Sequence, residues 1–408
     1  MTRAETFARP DARVATLTKI RNLKMSRSSH AYVRGSTVKF YEWLEGQKNG
    51  SIPSGPPVWI CGDCHVGNLG PVANASGQIE IQIRDLDQTV VGNPAHDLIR
   101  LGLSLASAAR GSDLPGVTTA KMLEQMMDGY EKSFEPDFHE ESDVKMPESI
   151  RLVSKKAVAA SWQSLAEERI KDARPTIPLG RRFWPISKAE KREIEKLFET
   201  EEMRKLATML RSRDDHARVK LLDAAYWIKG CSSLGRLRYA VILRIGTKKE
   251  GFPYCIMDLK EAAQAAAPQG PRVRMPADQA ERVVEGARYL SPFLGKRMRP
   301  VKLLGKSVFV RELLPQDLKV EIEQLTREEA MKVALYLAAV VGKAHSRQMD
   351  PATRIQWQKD LQRNRSNSLD APTWLWTSIV ELLADHERAY LEHCRKYALE
   401  SAQSTDAT

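Results

Sequence analysis

The stretch "VWICGDCHVGNLG", residues 58–70, is compatible with two different chemistries. Cys61-Gly-Asp-Cys64-His65 spells C-x-x-C-H, the pattern by which a c-type haem is attached covalently. The same residues place Asp63 five positions before Asn68, behind Gly62 and beside His65, a spacing suited to a phosphoryl-transfer loop. Such transfer needs one carboxylate to orient and deprotonate the acceptor hydroxyl. It also needs oxygen ligands for a magnesium ion that bridges nucleotide phosphates. Asp63 fits the first role, and Asn68 and Asp85 fit the second. Asp87 stands two residues after Asp85 and Asp97 twelve after it, in "RDLDQTVVGNPAHDL". Asp87 reads either as an extra metal ligand or as a restraint on the turn. The plain alternative makes Asp63 and Asp85 turn residues, and Asp97 reads as a structural helix cap rather than a reacting group.

Composition weighs against haem. At 408 residues and 46.0 kDa the chain can bury a large core, and two domains or two lobes around a cleft are expected. The opening "MTRAETFARPDARVATLTKIRNLK" is charged throughout, without the apolar stretch of an export signal, and no later segment is apolar for the length a bilayer needs. The expectation is a soluble, cytoplasmic protein without membrane partners, whereas bacterial c-type haem is attached outside the cytoplasm. Cysteines 61, 64, 231, 255 and 394 are odd in number and scattered, so no disulfide framework is expected, and no second C-x-x-C completes a zinc site. The formal charge of +11 is spread among acids on helical stretches such as 188–213, which reads as solvated helix faces; nucleic acid is not an expected partner.

The elements that position these residues can be read along the chain. Residues 58–70 read as an apolar strand entering a glycine-punctuated loop. Ile79, Ile81 and Ile83 alternate with polar neighbours, as a half-buried strand does. From 93 to 110 the period becomes helical, with Leu98, Leu101 and Leu105 on one face and Gly102 allowing a close neighbour. Residues 119–225 read as several amphipathic helices. Residues 230–262 read as a glycine turn, a strand, a hairpin and a second strand ending at Lys260, and 299–313 as two further strands, so that 226–320 forms a small β-rich lobe. Thr326 and Glu329 spell a capping box opening a helix to "GKAHSR", and another helix fills 373–400. His345, in "GKAHSR", reads as a helix-end cap.

The β-rich part supplies what a nucleotide site would need. Gly230-Cys-Ser-Ser-Leu-Gly235, placed between a helix and a strand, lacks the Lys-Ser/Thr of a P-loop and suits a loop lying over phosphates. Lys260 is placed to reach those phosphates, with Glu285 as its ion-pair partner and Glu281 as the competitor one turn earlier. A solvated strand-end lysine is the competing reading.

Gly62-Asp63-x-x-x-x-Asn68, Asp85-Leu-Asp87 and "NPAHDL" resemble the aminoglycoside-phosphotransferase branch of the protein-kinase-like superfamily, with Cys61 in place of the usual first His and Asp87 in place of Gly. The segments "YVRGSTVKFYEWL", "VVEGARYLSPFLG", "FVREL" and "GKAHSR" further resemble domain-of-unknown-function family 2252, uncharacterised bacterial proteins grouped with kinase-like proteins. These resemblances imply an α+β, two-lobed, protein-kinase-like fold that binds ATP and Mg2+. The catalytic loop precedes the β-rich lobe, so the fold is expected to be circularly permuted, with a large helical insertion. The expected parts are 1–118 (catalytic loop and metal site), 119–225 (helical), 226–320 (β-rich, nucleotide-binding) and 321–408 (closing helices). Arg34 is a candidate phosphate contact or a surface ion pair, and His65 a partner within the loop. The expected activity is phosphoryl transfer from ATP to an unidentified small-molecule or protein acceptor. A nucleotide- or partner-binding protein without transfer, and a nucleotidyl transferase, are the alternatives.

Overall fold

Helices α1 (Arg13–Met25), α2 (Ser29–Gly35) and α3 (Thr37–Glu45) lead into short strands β1 (Val58–Ile60), β2 (Leu69–Ala73), β3 (Ile79–Ile83) and β4 (Val90–Gly92). β1 pairs with β4 and β2 with β3, both antiparallel. The loop after β1 and the turn after β3 are thereby drawn together, and these carry Asp63 and Asp85. Helices α4 (Ala95–Gly111), α5 (Gly116–Lys132), α6 (Glu140–Asp143) and α7 (Glu148–Ala159) follow. The computed structural model describes residues 7–159, 176–210, 212–231, 233–246, 254–269, 273–314, 326–362 and 371–405.

The start of α4 shows why "NPAHDL" is placed as it is. Asn93 Oδ1 accepts from Ala95 N at 3.0 Å and from Gly55 N at 3.2 Å, while its Nδ2 donates to Pro53 O at 2.7 Å. One side chain thus shapes the turn into the helix and ties down the approach to β1. Leu98, Leu101 and Leu105 are buried as expected, each contributing about 2 kcal/mol of apolar burial. Gly102 earns its position, since a Cβ there would lie 2.3 Å from Ile379 Cδ1.

The second half of the chain continues with β5 (Phe183–Trp184), α8 (Lys188–Glu199), α9 (Glu201–Thr208), β6 (Val219–Trp227), β7 (Arg238–Ile245) and β8 (Tyr254–Glu261). Then come α10 (Gln279–Leu290), α11 (Pro292–Lys296), β9 (Met298–Leu303), β10 (Lys306–Leu313), α12 (Arg327–Ser346), α13 (Pro351–Leu361) and α14 (Thr373–Thr405). The strands from β5 onward form one antiparallel sheet in the order β5-β6-β7-β8-β10-β9. The architecture is mixed α+β.

Period-two alternation gives this sheet two different faces. Val241, Leu243, Met257 and Leu259 pack with Leu17 of α1, Ile194 and Phe198 of α8, and Leu206 of α9. The opposite face carries Ala240, Ile242 and Ile256. It also carries the charges: the register sets Arg238 opposite Lys260 and Asp258 opposite Arg311.

Two expectations about elements change. Residues 219–225, the end of the stretch read as helical, belong to the strand β6, because Ala224 to Trp227 are buried on both faces and leave no alternation to read. The glycine segment at 230–235 therefore runs from strand to strand rather than from helix to strand. The capping box is half formed. Thr326 accepts from Glu329 N, but Glu329 Oε1 accepts from Ser149 N at 2.7 Å and so ties α12 to α7.

Candidate active site

The loop after β1 is held in place from beneath. Gly62 has φ +72°, and a Cβ there would lie 2.2 Å from Gln88 O, so both conformation and space require glycine. Asp97, fully buried on α4, accepts from Cys61 N at 2.7 Å and from Gly62 N at 2.9 Å. Tyr41 donates to Gly62 O at 2.6 Å. His345 Nε2 lies 3.2 Å from Asp97 Oδ2, and its Nδ1 lies 2.9 Å from the Tyr130 hydroxyl, which accepts from Trp357 Nε1 at 3.3 Å. A buried chain thus runs from α13 through α5 and α12 to the loop. Asp97 holds the loop backbone rather than capping a helix. His345 does not act as a helix-end cap: its ring supports Asp97, because it turns inward from the last turn of α12.

On this support Asp63 faces a cavity. Its Oδ2 accepts from Thr37 Oγ1 at 2.9 Å and its Oδ1 is ion-paired with Arg100, which is buried on α4 one turn after Asp97. Asn68 Nδ2 donates to Asp63 O at 2.9 Å, which leaves its Oδ1 without a hydrogen bond among the described residues. The C-x-x-C-H reading fails on burial. Cys61 and Cys64 are both buried, and Cys61 Sγ lies 3.5 Å from Asp85 O. A hydrogen bond to Cys64 and burial push the Cys61 thiol well up, so it is a packed, protonated side chain.

Across the cavity, Lys260 Nζ lies 3.4 Å from Asp85 Oδ1 and is ion-paired with Asp87. The Lys260 side chain is only 5% exposed, whereas that of Asp85 is 50% exposed. Removal from water opposes ionisation of Asp85, but Lys260, then Arg311 and Arg238, outweigh it and hold its carboxyl below the usual range. Asp87 moves the other way, raised by burial and by Asp85, and its Oδ1 is buried without a partner.

The cavity has a volume of about 680 Å3, and Asp63, His65, Asn68, Asp85 and Gly230 all line it. Residues distant in sequence therefore meet at one opening. Lys260 and Asp87 sit just behind its wall. Gly235 (φ +97°) closes the strand-to-strand loop beside Val14 and is not on the lining. Arg34 belongs to α2, but its side chain lies outside the described part. The expected Lys260–Glu285 pair is not formed, and Asp85 and Asp87 take its place. The inward position on α10 belongs to Arg282, which donates to Asp87 O at 3.0 Å, to Ala263 O at 2.8 Å and to Thr89 O. Glu285 is left half-buried beside it and Glu281 faces solvent.

Sequence reasoning missed Arg100, Thr37, Arg282 and the Arg238–Asp258–Arg311 cluster, in which Arg238 grips Asp258 at 2.9 and 2.6 Å. Only Arg100 left a visible signal, as a second charge one turn after Asp97 on a helix that is otherwise rich in apolar residues.

The family described as uncharacterised proteins conserved in bacteria, domain-of-unknown-function family 2252, matches residues 13–396. The chain belongs to this family. No curated protein and no solved structure matches it. Among the described residues no helix is long and apolar enough to cross a membrane, and no three His, Cys, Asp or Glu side chains form a ready metal cluster.

Proposed function

We propose that the protein is an ATP- and magnesium-dependent phosphotransferase with a two-lobed, kinase-like and circularly permuted architecture. One observation carries the reading. Lys260 and Asp85, 175 residues apart in sequence, lie 3.4 Å apart beside a cavity that Asp63 and Asn68 also line. The strand-to-strand glycine loop opens on the same cavity through Gly230.

In this reading the acceptor oxygen forms a bond to the γ-phosphorus as the bond to the β,γ-bridging oxygen breaks. ADP leaves, and the hydroxyl proton passes to Asp63 or to water. Thr37 and Arg100 each occupy one site on the Asp63 carboxylate, which has about four lone-pair directions, so it retains capacity to orient a hydroxyl. Orientation suffices, because a loose phosphoryl-transfer transition state asks little of a base. Lys260 binds the nucleotide phosphates. Asp85 and Asp87 fix its ammonium in the role that Glu285 was expected to fill.

Asn68, Asp85 and Asp87 are an all-oxygen set suited to a hard cation. The unpaired Asn68 Oδ1 and the unpartnered Asp87 Oδ1 fit that use. Magnesium bound by them would neutralise phosphate charge.

The Arg100–Asp63 pair favours the alternative, a protein that binds nucleotide without transfer. Incubation with ATP labelled at the γ- or the α-phosphate, in a metabolite extract, tests the reading. Label transferred from the γ position supports it. Label from the α position means nucleotidyl transfer, and binding without product leaves the alternative.

A further inference from the structure

The cavity wall is more cationic than a magnesium nucleotide requires. Seven lining side chains are Lys or Arg, against the two carboxylates Asp63 and Asp85, an excess of five positive charges. A magnesium–nucleoside triphosphate brings a net charge of about −2. That charge offsets only part of the cationic wall.

The uncompensated cations are close together. Arg238 and Arg311 have Asp258, but Lys229, Arg181 and Arg182 form no ion pair among the described residues. Lys229 Nζ makes one contact, 4.2 Å above the Trp227 ring centre. Arg181 and Arg182 are the central residues of a tight turn, closed by Gly180 N to Phe183 O at 2.8 Å and Phe183 N to Gly180 O at 3.2 Å. Ile228 N donates to Arg182 O at 2.8 Å, which sets this turn against Lys229. Phe183 and Trp227 stack below them with ring centres 5.7 Å apart.

Burial, and then the charge of Arg238, push the Lys229 ammonium well below its ordinary pKa; Asp258 offsets this only in part, and Arg311 and Arg84 add to it. Like charges gathered without a counter-ion destabilise the empty site and favour an anion in it. Two guanidinium forks beside an ammonium match the several oxygens of a phosphate.

We propose that Lys229, Arg181 and Arg182 form a second anion subsite, which holds a phosphate group carried by the acceptor. The substrate presented to Asp63 is then itself a phosphate monoester bearing a free hydroxyl. The acceptor assignment rests on the phosphotransferase reading, whereas the subsite does not.

The test titrates inorganic phosphate by calorimetry into the full chain saturated with MgADP. Wild type is compared with Arg181→Gln/Arg182→Gln and with Lys229→Gln. The expected result is saturable phosphate binding in wild type that weakens at least tenfold in both variants. The arginine pair, on an exposed turn, should leave the melting temperature intact and MgADP affinity within about threefold. Unchanged phosphate affinity in the variants, or competition between phosphate and MgADP, overturns the proposal. If wild type fails to bind MgADP while phosphate binding still depends on these residues, the phosphotransferase reading fails and the subsite stands.

Discussion

Replacing Asp97 by Asn separates a scaffolding carboxylate from a reacting one. The carboxylate accepts from two backbone N–H groups, at 2.7 and 2.9 Å, in a fully buried setting. An amide offers one oxygen, so at best one of the two donors keeps its acceptor and the other faces an NH2 group. A buried donor left unsatisfied costs about 1–3 kcal/mol, and the surviving bond loses its charge assistance. The sum is roughly 2–4 kcal/mol. With an unfolding entropy of about 2.1 cal/mol/K per residue, a chain this size loses roughly 1.2 °C in Tm per kcal/mol, so a fall of roughly 2–5 °C is expected in a thermal melt followed by circular dichroism. Asp97→Ala, which removes both acceptors, should cost more. Because the Asp97 contacts hold the backbone that carries Asp63, MgATP turnover should fall in Asp97→Asn even at temperatures where the variant is fully folded. A destabilisation of Asp97→Asn below about 1 kcal/mol would refute the claim that this side chain carries the loop.

Asp63→Asn should lower turnover at least a hundredfold while changing MgADP affinity by less than about threefold; calorimetry and a label-transfer assay read the two separately, and an equal loss in both contradicts the assigned role. Gly62→Ala should destabilise by more than the roughly 1–2 kcal/mol of the left-handed backbone alone, since its Cβ also meets Gln88 O; a melt unchanged from wild type would count against the loop geometry. His386, buried on α14, is held down to about 4 by burial and then by the charge of Arg100, with Leu382 O pulling the other way. Its folded-state pKa lies below the ordinary value near 6.5. The unfolded chain therefore binds the proton more readily, and stability should fall as pH drops from about 6.5 towards 4, by up to roughly 1.4 kcal/mol per unit. Urea titrations of wild type and His386→Gln across that range check it, and parallel curves would sink the assignment.

Legibility in the sequence followed the range of the interactions. Asp63 and Asn68 share one short loop and the alternation at 79–83 marks the strand that ends just before Asp85, so their nearness could be read from spacing. The partner of Lys260 could not, because it depends on the rotation of α10. Arg282 anchors that helix through three backbone carbonyls, which leaves Glu285 off the lysine, while Asp87 supplies a nearer carboxylate. The β6 strand was hidden because both its faces are buried at the Trp227 end. The pairing of Arg182 with Ile228, which gathers the cations of the second subsite, depends on the β5–β6 edge and leaves no periodic mark. Arg100 was visible as an anomaly, but its partner was not.

The central claim is that the cavity holding Asp63, Asn68 and Asp85 is a magnesium–nucleotide site. Isothermal calorimetry of ATP binding, with and without magnesium, on wild type and Asp85→Asn tests it most directly. Saturable binding that requires magnesium in wild type and weakens at least tenfold in a folded Asp85→Asn variant is the predicted result. Absence of binding in the folded wild type, or equal magnesium-independent binding in both proteins, would contradict the account.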